Sequence, residues 1–214
     1  MRAATKKPAR RTTYRHGDLH SALLEAGIAL ARSGGPDAIV LREATRQAGV
    51  VPNAAYRHFS SRQALFQAVR SAALSRLAIV METELAKLRA DTPAVELARA
   101  NLRAIGTGYL LFAQTEPGLF HTAFSVQDEV EGDTDPAKAG RSGLNPFQLL
   151  NAALDRLVEV GVLPPERRPG AQYLAWSAVH GLALLIADGP LHNAPSMQRN
   201  LIAQRLLEMV EKGL

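Results

Sequence analysis

The sequence predicts an all-α protein: an N-terminal three-helix unit of helix-turn-helix type followed by a larger helical bundle. Three observations carry this prediction. Apolar residues recur three and four apart along most of the chain, and no convincing strand appears. The segment Leu41 to Phe66, LREATRQAGVVPNAAYRHFSSRQALF, reads as two short helices around a Gly-containing turn, with a third helix opening at Ser61. Charge is also split along the chain. Residues 1–70 hold 12 Lys or Arg against 4 Asp or Glu, a net of +8; the whole chain is +5, so residues 71–214 carry −3.

The elements follow in order. Residues 1–17 contain Arg2, Lys6, Lys7, Arg10, Arg11 and Arg15 with no acid and no periodicity, so they read as a flexible basic arm. Such an arm either follows a nucleic-acid backbone or minor groove, or is a solvated tail. A first helix is expected from Asp18, its N-cap, to Arg32, with Leu19, Leu23, Ala26 and Leu30 inward and Gly34 and Gly35 ending it. Leu41, Ala44 and Ala48 form the inner stripe of the next helix, and Gly49 stops it by accepting a left-handed backbone. Pro52 suits the first turn of a further helix, where a missing N–H costs nothing. Ala55 and Phe59 point inward from that helix.

Ser61 caps a long helix expected to run to about Arg89. Thr92 as cap and Pro93 as first residue restart the chain in a helix that reaches about Gln114. A break at Glu116 and a short helix LFHTAF follow. Residues 127–143 are polar, acidic and Gly-containing, and read as a long mobile loop. Asn145-Pro146 starts a helix with Leu150, Leu154, Leu157 and Val158 inside, ended by Gly161. Ala171 to Ala187 is apolar nearly all round, which implies burial on most sides. Ser196 is expected to cap a last amphipathic helix with Leu201, Leu206, Met209 and Val210. The domain division is therefore an arm at 1–17, a reader at 18–70 and a helical domain at 71–214.

Composition narrows the function classes. The chain has no Cys, which excludes disulfides and thiolate metal sites and fits a reducing cytoplasm. The N-terminus lacks the apolar segment of a secretory signal. Tyr173 to Ala187, the most apolar stretch, is shorter than the ~20 residues that span a bilayer, so no membrane partner is expected. Nucleophile-elbow and phosphate-cradling motifs are absent, and no paired carboxylates stand out, which argues against an enzyme. His16 and His20 have the spacing of a metal pair but straddle a helix start without a third ligand. No metal or other cofactor is expected.

The segment GVVPNAAYRHFSSRQALF resembles the signature of the TetR family of transcriptional repressors, and YRHGDLHSALLEAGIALARSGG resembles that family's first helix. The likeness covers Tyr14 to Val69. A weaker one extends through the rest of the chain, including WSAVHG at Trp176 to Gly181. It implies a cytoplasmic regulator that binds double-stranded DNA as a homodimer through its last two helices and responds to a small molecule. Carried over by position, the base-reading surface falls on Pro52, Asn53, Ala54 and Arg57, with Arg42 from the preceding helix. The phosphate contacts fall on Tyr56, His58 and Arg62, with Thr45 as a further candidate. The chemistry suits them: Arg pairs with guanine, Asn with adenine, an Ala methyl with a thymine methyl, and Tyr, His and Arg donate to phosphate. The spacing alone also fits a three-helix corner with a solvated polar face.

One departure from the family pattern stands out. Val51 occupies the position just before the recognition helix where family members often have a Ser or Thr, and Val40 likewise precedes the earlier helix. Valine cannot accept from the first N–H groups of a helix.

For the effector, Tyr109, Phe112, Phe120, His121, Phe124, Phe147, Trp176 and His180 combine aromatic bulk with a few polar atoms. Aromatic residues at helical spacing are also ordinary core. Gly106 and Gly108 would permit close approach of a ligand or a helix. No basic cluster marks this half, so the expected effector is apolar or weakly polar. Two other readings stay open: a DNA-binding regulator with no effector, and a helical scaffold or catalytic domain with a degenerate reader.

Overall fold

The computed structural model describes residues 16–126 and 130–214; residues 1–15 of the basic arm, and with them the expectation that it meets DNA, lie outside the described residues. The described chain folds into α1 (His16–Gly34), α2 (Leu41–Gln47), α3 (Pro52–Ala55), α4 (Arg62–Leu85), α5 (Ala94–Thr115), α6 (Pro117–Phe124), α7 (Pro146–Glu159), α8 (Ala171–Ala187) and α9 (Ser196–Gly213). Short 3-10 turns lie at Pro36–Ala38, Pro136–Lys138 and Pro165–Arg167. There is no strand among the described residues.

Local chemistry sets most boundaries. Gly35, Gly49 and Gly161 take φ of 67°, 67° and 71°, the left-handed backbone that ends α1, α2 and α7. The Ser61 hydroxyl accepts from Ala64 N–H at 3.1 Å and opens α4. Asn145 and Gln148 form a reciprocal capping box at the start of α7, with both bonds at 2.9 Å. Three expected starts shift. α1 begins at His16, so Asp18 lies within its first turn. Pro93 and Pro195 are the residues preceding α5 and α9, with no side-chain caps. α4 stops at Leu85 rather than near Arg89, because the chain tightens into turns where Lys87 N–H bonds Glu84 C=O and Leu88 N–H bonds Leu85 C=O.

α4 joins the two halves. Its first part packs Leu65 and Val69 against α1, and its later part packs against α5, α6 and α7. α5 is the centre of the second half and touches α4, α7, α8 and α9. Gly108 makes the α4–α5 crossing close: a Cβ there would sit 2.6 Å from Met81 Cα. Gly106 likewise yields its space to Leu207 of α9. Both glycines therefore serve helix approach. α4, rather than Tyr173 to Ala187, is the described helix with the length and apolarity to cross a membrane. Its apolar residues are spent on the core and Arg70 interrupts it, so it reads as an interior helix.

One expectation fails. The segment after α6 is not a mobile loop over its described part. Residues 130–145 form a strap laid on α4 and held by named bonds. Glu82 accepts from Arg141 N–H (2.8 Å), Ser142 N–H (2.9 Å) and Ser142 Oγ (2.6 Å). Ser75 Oγ donates to Ala139 C=O at 2.6 Å, and Lys138 pairs with Asp133 at 2.6 Å. Polar composition marked this stretch as loop, but backbone and side-chain groups at 139, 141 and 142 are bonded to Ser75 and Glu82 of α4. Within one chain α8 is buried on one side only, and the burial expected of its other faces would need a partner copy. Tyr173, Leu174, Leu184 and Leu185 are exposed, and α9 adds exposed Met197, Leu201 and Met209.

Burial alone would raise the Glu82 carboxyl, but the bonds from Ser142 and Arg141 outweigh it and hold its pKa below the ordinary carboxylate value. The stabilisation this gives is present above the ordinary carboxylate pKa and fades as pH falls through the lowered folded value. Glu82→Ala is expected to cost about 1–2 kcal/mol and to expose residues 130–145 to limited proteolysis at neutral pH. Wild-type cleavage resistance in that variant would show that other bonds hold the strap.

Candidate DNA-reading face and effector cavity

α2 and α3 form the turn that carries the candidate reading face. Leu41, Ala44 and Ala55 are buried beneath it together with Phe59, whose ring stacks on His20 at 4.7 Å. Fixing these inward residues turns Arg42, Asn53, Tyr56 and Arg57 outward, and all four are exposed. Tyr56 is 57% exposed. Ala54 and His58 are partly buried at the edge of the same face. Pro52 is the first residue of α3.

Two phosphate candidates have other work. Thr45 is 2% exposed and its hydroxyl donates to Arg42 C=O at 2.7 Å, so it belongs to the reader's core, not to its outer face. It lies four residues after Leu41, which places it on the buried stripe. Arg62 is exposed, yet its guanidinium bonds Ile39 C=O at 2.7 Å and Pro36 C=O at 3.2 Å. In this conformation it ties α4 to the link between α1 and α2.

The caps expected to be missing are missing. Val40 and Val51 precede α2 and α3 in extended backbone, and neither side chain makes a capping bond. α3 is correspondingly short, a single turn that continues as bonds from His58 and Phe59 N–H to Ala55 C=O. Val51 is 69% exposed, so replacing it sacrifices little packing. Val51→Ser is expected to stabilise the reader by ~1 kcal/mol, read as a higher melting temperature. An unchanged or lower value would contradict this.

The second half encloses a cavity of about 560 Å³, within the range of small-molecule sites. Tyr109, Phe124, Phe147, Trp176 and His180 line it as expected. Phe112 and Phe120 do not; they are 1% and 0% exposed and belong to the packed core. His121 also points elsewhere, with its Nε2 3.1 Å from a carboxylate oxygen of Asp188. Sequence reasoning missed part of the wall: Arg70 and Met81 from α4, Asp133 and Lys138 from the strap, and Leu207 and Val210 from α9. For Arg70 a signal existed, since it is a lone charge inside the mostly apolar run from Leu65 to Leu74. It is 4% exposed and donates to Ala123 C=O at 3.1 Å and Val126 C=O at 3.4 Å.

A chain of hydrogen bonds crosses the aromatic wall. Trp176 Nε1–H donates to the Tyr109 hydroxyl at 3.2 Å, and that hydroxyl lies 2.7 Å from His180 Nδ1. Burial raises the Tyr109 pKa, opposed by the Trp176 bond, and burial lowers that of His180. Both groups are therefore neutral near pH 7.

Comparison with known proteins places this architecture. Residues 23–69 match the bacterial regulatory proteins of the tetR family, and residues 102–210 match the tetracyclin repressor-like C-terminal domain. The chain belongs to the TetR family of transcriptional regulators. No curated protein matches it. Solved structures do. A protein of unknown function from Rhodococcus sp. RHA1 is 24% identical, with a TM-score of 0.74 over 95% of this chain and 99% of that one. The TetR family regulator PfmR from Thermus thermophilus is 21% identical, with a TM-score of 0.56 over 90% and 98%. A TetR variant from Acinetobacter baumannii AYE, in complex with minocycline, is 16% identical, with a TM-score of 0.55 over 90% and 94%.

In this TetR family member the reader and the helical half share a joint, and its atoms are explicit. The start of α6 abuts the last turn of α1, and Gly118 lets the two backbones meet: a Cβ there would lie 2.2 Å from Ala31 C=O. The N-terminal end of α6, partly positive, thus faces the carbonyls that close α1. Arg32 and Glu116 clamp the same corner through bonds of 2.8 to 3.1 Å. The other end of α6 carries Ala123 and Phe124 into the cavity wall. One eight-residue helix therefore touches both the cavity and the reader.

Proposed function

We propose that the protein is a ligand-responsive transcriptional repressor that binds a two-fold-symmetric operator as a homodimer and is released when an apolar or weakly polar small molecule fills the cavity. The observation that carries this reading is the sharing of helices. α4 and α6 supply Arg70, Leu74, Met81, Ala123 and Phe124 to the cavity wall, and the same two helices pack on α1 of the reader. An occupant that resets either helix has a short mechanical path to the reading face. The minocycline complex of a TetR relative supports a small molecule as a ligand of this fold.

The exposed polar face of Arg42, Asn53, Tyr56 and Arg57 supports direct contact with DNA. His58 and Ala54 border it, Pro52 starts its helix, and Arg62 would reach phosphate only by leaving its carbonyl partners. The net charge of +8 on residues 1–70 supports phosphate neutralisation. Dimerisation is supported by the apolar stripe Leu174, Leu184 and Leu185 on α8 and by Met197, Leu201 and Met209 on α9. Gly181 interrupts the α8 stripe with open space, which suits the approach of a partner helix. These properties favour a regulator acting in the cytoplasm over an enzyme.

The test is selection of genomic fragments bound by the purified protein, followed by challenge with candidate ligands. The expected result is a shared motif of two inverted half-sites, lost on ligand addition. Fragments without a common inverted repeat would overturn the operator reading. Binding that no cavity-filling ligand alters would favour a constitutive regulator.

A further inference from the structure

The identity of the cavity's occupant is constrained by which wall groups are already engaged. This step rests on the reading of the cavity as the effector site. The charged groups on the wall are bonded within the protein. Lys138 pairs with Asp133 at 2.6 Å, Arg103 bonds Glu211, and Arg70 donates to the carbonyls of Ala123 and Val126. Asn145 has spent both ends of its amide, on Gln148 N–H and on Asp133 C=O, each at 2.9 Å. A charged ligand would enter a largely apolar chamber in competition with these partners, which is costly.

The hydrogen-bond chain fixes what remains. Trp176 Nε1–H can only donate, so the Tyr109 oxygen accepts from it. Tyr109 is buried, and His180 Nδ1 is the one acceptor its O–H reaches among the described residues, so the hydroxyl donates to that nitrogen and is not left unpaired. A neutral His180 that accepts at Nδ1 must carry its hydrogen on Nε2. That nitrogen has no partner among the described residues, and the ring lines the cavity. Around it stand the rings of Phe124 and Trp176, with centroids 5.1 Å and 6.2 Å from the imidazole. Phe147 continues the aromatic wall 6.1 Å beyond Trp176.

We propose that the cavity selects an uncharged aromatic ligand carrying a hydrogen-bond acceptor, such as a ketone oxygen, and that the Nε2–H of His180 reads that acceptor. The rings supply the stacking surface, and the relay through Tyr109 makes the site a donor rather than an acceptor. An aromatic carboxylate of the same size is the discriminated competitor.

Trp176 is the sole tryptophan of the chain and lines the cavity, so its fluorescence reports occupancy. The probes are 2-acetylnaphthalene, naphthalene and 2-naphthoate, titrated into the full-length protein. Expected are saturable quenching by the ketone, a Kd about tenfold tighter than for naphthalene, and weaker binding of the carboxylate than of the ketone. His180→Phe should erase the ketone's advantage over naphthalene while naphthalene still binds. His180→Gln, which retains an N–H donor, should keep part of that advantage and shows that the cavity survives substitution. Carboxylate binding as tight as the ketone, or an intact ketone advantage in His180→Phe, overturns this inference and leaves the effector reading standing. No saturable response to any of the three overturns both.

Discussion

Gly118→Ala is expected to split the joint between the reader and the helical half. The added Cβ would lie 2.2 Å from Ala31 C=O and 2.7 Å from Arg32 C=O. Both obstacles are backbone, so no side chain can rotate away; α6 must lift from the end of α1. Overpacking of this kind costs roughly 1–3 kcal/mol, and for a chain of this size each kcal/mol lowers the melting temperature by about 2–4 °C. The displacement also strains the Arg32–Glu116 clamp, an exposed pair that adds only ~0.5 kcal/mol by itself. The functional consequence is the more specific one. Operator affinity without ligand should change little, because α6 packs on α1 and the turn after it rather than on α2 or α3, while release by ligand should weaken. A variant with wild-type melting and wild-type release would show that α6 is not the path.

Arg57→Ala is expected to lower affinity for the operator by about tenfold to a hundredfold, the range of one good bidentate base contact. Arg57 is exposed on a turn whose inward residues, Ala55 and Phe59, are fixed in the core, so truncation should leave the fold intact. The readout is the ratio of operator to scrambled-DNA binding. A base contact loses affinity for the operator alone, whereas a phosphate contact loses it for both. Equal loss on both DNAs would reassign Arg57 to the backbone, and no loss would place it off the interface.

The reader was legible because its punctuation is chemical. Ser61 caps, Gly49 turns left-handed, and Ala55 with Phe59 marks the buried side of a single helical turn; each is a property of one residue type at one place. The candidate surface opposite those residues is what the family resemblance implies, and at Thr45 it overlaps the buried stripe. The cavity was legible only in part. Periodicity shows that Phe112, Phe120 and Phe124 point inward, but not which inward residues meet packed neighbours and which meet space. Phe112 and Phe120 meet neighbours, and Phe124 meets the cavity. The strap was not legible at all. Its order comes from Glu82 and Ser75, which lie some sixty residues away in sequence, and no local pattern encodes such a bond.

The most direct test of the central claim is DNA affinity across a salt series, with the selected operator against a scrambled sequence of equal length. The account predicts tight binding to the operator that weakens steeply and linearly in log–log form as salt rises, with a specificity gap that persists. Equal, weak binding to both DNAs at every salt concentration would contradict it, and would mean that this helix-turn-helix does not read sequence.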